Sequence, residues 1–303
     1  MTSLADIYDR RVGNRAKVGL LVEKNWHLGL IGHGSYLPGG DKDIAVMINE
    51  GGNGLFTNPD YYSLPPYLWD TPGFEDDIRR VDLEDGKLDG SWGGVESLTD
   101  PQKLLKTPVW VLRQTTLIKS LLEREGFGRD RIPDLFYTNY KEVDHLGHLF
   151  NMLGPEVRDT LGYTDDAIRE LVSFLDDTVG RKRWVVTFTA DHGQTPLPQS
   201  MGAWPIDVDV LEGSIAKHFK VEVADLFQEE RPHGLWLNRA TMRRERLTGT
   251  EVSQFILEQT IADNAVGRAV PDAYEGRLDE PLFAAAFPTW KLPLIWGCAK
   301  QRA

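Results

Sequence analysis

Two short segments of the chain combine carboxylates and imidazoles at spacings that suit metal binding. The segment DHLGH carries Asp144 and His148 four residues apart, so one helical turn would place both side chains on the same face. The segment ADHG carries adjacent Asp191 and His192, and Gly193 permits a tight turn from which both could reach an ion. Zinc accepts imidazole nitrogen and carboxylate oxygen as ligands, and catalytic zinc sites leave one coordination position open. These residues therefore predict the chemistry of a catalytic metal site.

Both segments follow a predicted strand. Residues 134–138 (DLFYT) and 184–190 (WVVTFTA) predict strands, the second more strongly than any other stretch of the chain. An amphipathic helix is expected between them over 164–179, with Thr164 as its N-cap. A strand, a helix and a strand in this order form the unit that joins adjacent parallel strands. The two segments are therefore expected side by side beyond the carboxyl ends of the strands, where α/β sheets carry their chemistry.

The rest of the chain predicts further alternating elements. Strands are expected at 16–22, 43–48 and 234–238, helices at 108–125 and 208–219, and another helix after a capping box formed by Thr248 and Glu251. This alternation predicts an α/β fold, a doubly wound and mostly parallel sheet with helices on both faces. Residues 50–105 are rich in Gly, Pro, Asp and aromatic residues, which predicts an irregular insert or cap. We expect residues 1–303 to form a single domain.

Composition and charge narrow the classes of function. Among 303 residues there are 34 Lys and Arg against 46 Asp and Glu, and the resulting net charge of −12 argues against binding to a nucleic acid duplex. The single cysteine, Cys298, excludes an internal disulfide and a cysteine-based zinc site. No stretch approaches the roughly 20 apolar residues of a membrane span. The first residues lack the apolar core of a signal peptide, and the localisation stays open.

The two motifs, DHLGH and TADHG, resemble the alkaline phosphatase superfamily, and within it the type I phosphodiesterase/nucleotide pyrophosphatase family. The resemblance implies a hydrolase that binds two zinc ions and cleaves phosphate mono- or diesters through a covalent Thr or Ser intermediate. It implies that Asp144 and His148 bind one zinc ion, and that Asp191 and His192 bind the other. Manganese or iron would suit similar ligands. The expected substrate is a small-molecule phosphate ester, because bound metals dominate the local field even on an acidic protein.

Three further residues become candidates through the same resemblance. His233, in Pro-His-Gly-Leu-Trp, is similar to the family's late histidine ligand, and His33, in Gly-His-Gly, is a second candidate for that role. Lys24 follows the first predicted strand, where some family members contact the substrate phosphate with a lysine. An ordinary loop residue is the alternative for His33 and for Lys24. His27 and His218 are expected to be structural.

Two parts of the family pattern have no counterpart in this sequence. These are an early strand that ends in a metal-binding Asp, and a Thr or Ser nucleophile at a helix start. We therefore expect a shortened form whose first strand, first metal carboxylate and nucleophile lie upstream of Met1, with strongly reduced or absent activity. The alternative is a catalytically inactive member that binds a metal or phosphate. A sulfatase of the same superfamily is disfavoured because the chain has no C/S-x-P-x-R motif.

Overall fold

The computed structural model of the chain describes residues 2–49, 54–231 and 234–300. The chain divides into two compact units, Met1–Pro196 and Leu197–Ala303. That residues 1–303 form a single domain stays a prediction.

A mixed, mostly parallel sheet forms the centre of the first unit. The described strands of this unit are β1 (Val18–Val22), β2 (Asp43–Ile48), β3 (Leu55–Phe56), β4 (Tyr62–Ser63), β5 (Ser91–Trp92), β6 (Glu96–Ser97) and β7 (Leu135–Thr138). The main sheet runs in the order β3-β2-β1-β7, and β4 also pairs with β2. β1 lies parallel to both neighbours, so Leu21 is paired with Val46 on one side and with Thr138 on the other. The strands expected at 16–22, 43–48 and 134–138 are therefore confirmed.

Helices cover both faces of this sheet. They are α1 (Leu4–Arg11), α2 (Phe74–Asp82), α3 (Pro101–Leu104), α4 (Val109–Arg124), α5 (Glu142–Leu149) and α6 (Pro155–Leu175). Successive residues of β1 point to opposite faces. Leu20 packs with Ala5 of α1 on one face, whereas Leu21 packs with Ile118 and Leu121 of α4 on the other. The doubly wound α/β fold is thus confirmed, as is the helix expected at 108–125.

The described part of the segment 50–105 contributes apolar side chains to this core. Leu68, Val81 and Trp92 belong to the same buried cluster as Leu21. The short strands β3 to β6 and the helices α2 and α3 lie in this part of the chain. That the segment acts as an insert or cap stays a prediction.

The helix before the second motif begins earlier than expected. α6 starts with Pro155 in its first turn, where the fixed φ of proline suits a helix start. The predicted N-cap, Thr164, is wrong, because its hydroxyl donates to the carbonyl oxygen of Thr160 at 2.8 Å from within the helix. The stripe that includes Val157, Thr160, Thr164 and Ala167 is buried, so the helix is amphipathic over a longer stretch than 164–179.

The strand expected at 184–190 is wrong for this structure. These residues have no regular secondary structure, and Val185 is 91% exposed and Phe188 79% exposed. A strand forms only where a neighbour takes up its backbone hydrogen bonds. Among the described residues no strand pairs with this segment. Its apolar side chains therefore remain in solvent despite their strong preference for a sheet.

Both ends of the segment 184–190 are nevertheless fixed beside β7. At its start, Arg183 donates from Nη2 to the carbonyl oxygens of Gly128 and Asp130, at 2.9 and 3.1 Å, shortly before β7 begins. At its end, Gln194 donates from Nε2 to the carbonyl oxygen of Asp144 at 2.9 Å, shortly after β7 ends. The segment therefore runs in the same direction as β7 without forming a ladder with it.

The second unit contains helices and one hairpin. Its described elements are α7 (Val208–Phe219), α8 (Val223–Leu226), β8 (Phe227–Arg231), β9 (Gly234–Leu237), α9 (Arg239–Arg244), α10 (Gly249–Glu258), α11 (Ile261–Asn264) and α12 (Leu292–Lys300). The helix expected at 208–219 and the strand at 234–238 are confirmed. The Thr248 and Glu251 capping box is present at the start of α10. Within the described chain, no helix has both the length and the apolar character needed to cross a membrane.

Candidate active site

Asp144 lies at the centre of the candidate site, in the first turn of α5. Its Oδ1 atom is 3.5 Å from Nε2 of His148, one turn later on the same helix. The same oxygen is 3.8 Å from Nε2 of His192, which belongs to the second motif. Two imidazoles from separate parts of the chain therefore face one carboxylate oxygen.

The second motif is held against α5 by a side-chain amide. Gln194 donates from Nε2 to the carbonyl oxygen of Asp144 and also to its Oδ1 atom, at 2.9 and 3.1 Å. The close approach depends on Gly147, because a Cβ there would overlap the Gln194 amide. His192 lies beside Asp191, with its Nε2 atom 3.5 Å from Oδ2 and its backbone N–H donating to Oδ1 at 3.1 Å. This places the four predicted ligands together in the first unit.

Nearby cations keep Asp144 ionised. Burial alone would raise the pKa of this carboxyl group, but the hydrogen bond and charge of Lys141, whose Nζ lies 2.8 Å from Oδ2, lower it. The charge of His148 and the hydrogen bond from Gln194 lower it further, so the pKa of Asp144 falls below its usual value. An ionised carboxylate is the form that coordinates a metal.

Lys24 belongs to a network of ion pairs at the carboxyl end of β1. Its Nζ atom is 2.9 Å from Oε1 of Glu23, and Nε2 of His145 is 3.3 Å from the same oxygen. Burial would raise the pKa of Glu23, but hydrogen bonds and charges from His145 and Lys24 bring it below its usual value. Burial would lower the pKa of His145, yet Glu23 raises it overall. Glu23 thus links Lys24 to His145 of α5, the residue that follows Asp144 in the chain.

Several residues of this neighbourhood are not expected at the site from the sequence. Glu23, Lys141 and Gln194 were not candidates, and His27 was expected to be structural. His27 keeps a buried Nδ1 atom without a hydrogen-bond partner among the described residues. Its pKa is lowered by burial and by the charge of Lys141, and Asp191 acts in the opposite direction. The signal in the sequence was the position of residues 23–27 directly after a buried strand, where α/β sheets place their chemistry.

Of the other two candidate histidines, the structure describes only His33, and it pairs with a residue outside this group. His33 lies with its Nδ1 atom 2.9 Å from Oδ2 of Asp6 on α1. His233 falls outside the described residues.

The donor set fits zinc in its chemistry, but no three of its donors form a tight cluster. Asp144, His148, Asp191 and His192 offer carboxylate oxygens and imidazole nitrogens, which are zinc ligands. Within the described chain, three ligand atoms lie within 4.8 Å of one another only in a different group of residues, Asp9, Asp41 and Asp43. His148 is 71% exposed and Asp191 70% exposed at the side chain, so both could move toward an ion.

Comparison with known protein families gives a match over most of the chain. The family model described as type I phosphodiesterase / nucleotide pyrophosphatase matches residues 26–238, well over half of the chain. The chain belongs to this family. The matched range contains Asp144, His148, Asp191 and His192, and also His233. Proteins of the alkaline phosphatase type usually use divalent metals, which agrees with the ligands present here.

Individual relatives are similar to this chain over parts of their length. Alkaline phosphatase PafA of Elizabethkingia meningoseptica is 20% identical over 169 residues, which are 53% of this chain and 31% of that protein. Alkaline phosphatase PhoV of Synechococcus elongatus is 29% identical over 80 residues, which are 26% of this chain and 14% of that protein. The crystal structure of wild-type PafA matches with a TM-score of 0.60 and 15% identity. That match covers 88% of this chain and 59% of the solved chain, and it shows the shared fold.

Proposed function

We propose that this chain carries the site of a metal-dependent phosphoester hydrolase with a two-zinc mechanism. Asp144 and His148 are the proposed ligands of one zinc ion, and Asp191 and His192 those of the other. The observation that supports this most strongly is the position of one Asp144 oxygen, 3.5 Å from His148 and 3.8 Å from His192. The proposed substrate is a small-molecule phosphate mono- or diester, in keeping with the family.

The surrounding residues have distinct proposed roles. Bound zinc would lower the pKa of a hydroxyl or water and neutralise the charge that develops on phosphate oxygens. Lys141 holds one oxygen of Asp144 and leaves the other facing the two imidazoles. Gln194 keeps the second motif against α5. We propose that Lys24 moves from Glu23 to contact the substrate phosphate, because an ammonium is a strong point charge for phosphoryl oxygens.

We further propose that the complete enzyme has one more strand beside β7, supplied by residues that are not part of this chain. The segment 184–190 is apolar and exposed, and it is fixed at both ends alongside β7 without pairing to it. All four residues of β7 are only half-buried. A parallel strand between them would satisfy both backbones and cover the exposed Val185 and Phe188. This supports the interpretation of the chain as a shortened form, whose nucleophile and first metal carboxylate lie outside it and whose activity is strongly reduced or absent.

The test is hydrolysis of a chromogenic phosphodiester by the purified chain with added zinc. The assay is run beside a chelated sample and the Asp191→Ala variant. Weak hydrolysis that both controls abolish would support a metal-dependent hydrolase. Zinc binding without hydrolysis would favour the alternative, an inactive member that binds metal or phosphate. Full-rate hydrolysis would contradict the shortened form, and hydrolysis that neither control alters would contradict the metal mechanism.

A further inference from the structure

Glu23 is a buried carboxylate that two nitrogen-bearing side chains approach from different elements. The residue directly follows β1 and is only 2% exposed. Nζ of Lys24 lies 2.9 Å from its Oε1 atom, and Nε2 of His145, on α5, lies 3.3 Å from the same oxygen. A buried carboxylate that loses its last partner is strongly destabilised, because no water replaces that partner. With two partners on one oxygen, one can leave while the other remains.

A second contact fixes the ring of His145 independently of Lys24. His145 lies between the proposed zinc ligands Asp144 and His148 in the chain. Its Nδ1 atom is 3.2 Å from the carbonyl oxygen of Leu105, at the end of α3. A carbonyl oxygen and a carboxylate only accept hydrogen bonds, so the imidazole faces them with an N–H on each nitrogen. His145 is therefore the partner of Glu23 that stays in place.

Lys24 is the partner with a route toward the candidate active site. Its Nζ atom lies 5.8 Å from the centre of the Trp26 ring, and Trp26 is 65% exposed. The charges of Lys24 and Asp191 both act on the pKa of His27, so the ammonium lies near the second motif. The four-carbon stem of a lysine is flexible and its three donors rotate freely. Lys24 can therefore change partners, whereas the ring of His145 is held on two sides.

We propose that His145 is a positioning residue for Lys24, because it keeps the Glu23 carboxylate paired when Lys24 turns toward a substrate phosphate group. This inference rests on the proposed function, in which Lys24 contacts that phosphate. Without His145, Glu23 would hold Lys24 more tightly, and a smaller fraction of molecules would have the ammonium free. The apparent affinity for the phosphate group falls with that fraction. The central histidine of DHLGH thus serves the substrate, while its neighbours serve the metal.

Acetylation of Lys24 in the folded, metal-free chain tests this exchange directly. Acetic anhydride is used at low concentration, and mass spectrometry gives the rate at Lys24 and at the control Lys119, which is paired with Glu170. His145→Leu should slow acetylation of Lys24 by about threefold or more, because Glu23 then depends on it. Glu23→Gln should accelerate acetylation, and adding His145→Leu to Glu23→Gln should change the rate no further. Lys119 should react equally in all four proteins.

A merely structural role of His145 predicts a different pattern. Loosening of α5 would accelerate acetylation of Lys24 in His145→Leu, both with and without Glu23→Gln. Acceleration or an unchanged rate in the single variant would overturn the proposal, and so would a slowing that persists beside Glu23→Gln. Faster reaction of Lys119 would reveal a folding defect in His145→Leu. In that case His145→Phe, which keeps a ring without its N–H groups, replaces it and should slow Lys24 in the same way.

Titration with inorganic phosphate separates this inference from the proposed function. In the zinc-loaded chain, His145→Leu should weaken phosphate binding by about threefold or more, and the double variant Glu23→Gln/His145→Leu should restore it. In a Lys24→Met background, His145→Leu should have no effect. Equal phosphate affinity in His145→Leu and the unaltered chain would overturn the inference and leave the zinc site standing. Absence of zinc binding by the unaltered chain would instead refute the proposed function, on which the acetylation rates of the metal-free chain do not depend.

Discussion

Asp144 shows how one residue links two motifs that are far apart in the chain. Its Oδ1 atom faces His148, which lies one helical turn later, and also His192, which the fold brings close from a distant part of the chain. Lys141 forms an ion pair with the other oxygen, Oδ2. The first of these contacts follows from the sequence alone, since residues four apart share a helix face. The second depends on Gln194, which holds the second motif to the backbone of Asp144. The proposed metal site therefore depends on an amide that offers no obvious signal in the sequence.

At Asp77 the structure predicts a measurable pH dependence of stability. Burial raises the pKa of this carboxyl group from 3.8 to about 6, against the opposing charges of Arg113 and Arg80, and its Oδ2 atom has no hydrogen-bond partner among the described residues. Because the folded-state pKa is the higher one, the folded state binds more protons than the unfolded state between these values. The free energy of unfolding should therefore fall as pH rises from about 4 to about 6.

The variant Asp77→Asn should remove this contribution. At neutral pH we expect it to raise the free energy of unfolding by about 1 to 3 kcal/mol. Urea unfolding at a series of pH values measures both effects. The exposed residue Asp60, whose charge does not contribute to the pKa of Asp77, provides the control Asp60→Asn, which should keep the slope of the unaltered chain. An unchanged slope in Asp77→Asn would refute the assignment.

At the scale of the helix, Gly147 sets the distance between α5 and the second motif. The variant Gly147→Ala would force the Gln194 amide away, because a Cβ at this position overlaps it. We expect zinc affinity to fall by about tenfold or more, as for loss of a group that orients metal ligands. The helix itself should tolerate alanine, which has the higher helix propensity. Zinc titration measures the effect.

Gly162 in α6 offers a matched control for this experiment. A Cβ added there meets no atom within 4 Å, and the residue is exposed. Gly162→Ala should leave zinc affinity unchanged and raise the free energy of unfolding by about 0.5 to 1 kcal/mol. Equal zinc affinity in the two variants would show that the Gln194 contact does not support the site.

The segment 184–190 leads to a prediction about local dynamics. Its backbone has no ladder partner among the described residues, whereas β1 is paired on both sides and buried throughout. Hydrogen–deuterium exchange followed by mass spectrometry should show exchange at least about 100-fold faster in this segment than in β1. Protection similar to that of β1 would mean that the segment has a backbone partner in solution.

The elements differ in how far the sequence predicts them, and the reason is physical. β1 and β2 are short apolar runs that find partners within the chain, so local pattern and fold agree. The segment 184–190 has a stronger strand pattern and still forms no strand, because a ladder needs a neighbour that the local pattern does not specify. The start of α6 was misplaced because Pro155 supports an earlier start than Thr164.

The residues of the candidate site also differ in how far the sequence predicts them. The sequence predicts Asp144, His148, Asp191 and His192, because metal-ligand types and spacing are local properties. It does not predict the contact of Glu23 with His145, since that ion pair joins the end of β1 to α5. The position of Lys24 was predicted only through the family resemblance.

At the scale of the whole molecule, the chain spans part of the length of its relatives. It covers 59% of the solved PafA chain and 14% to 31% of the curated alkaline phosphatases that it matches. Its net charge of −12 would repel an anionic phosphate ester at long range. Attraction of the proposed substrate would therefore depend on local cations, for which Lys24, Lys141 and the proposed metals are the candidates.

Zinc titration of the full chain tests the central claim most directly. The chain is compared with Asp144→Asn and His192→Ala, and with the control His33→Asn, which changes a histidine paired with Asp6 instead. We predict that zinc binds the unaltered chain and His33→Asn with equal affinity, and that Asp144→Asn and His192→Ala each weaken binding by about tenfold or more. Zinc affinity that is the same in all four proteins, or no zinc binding by the unaltered chain, would contradict the assignment of this site.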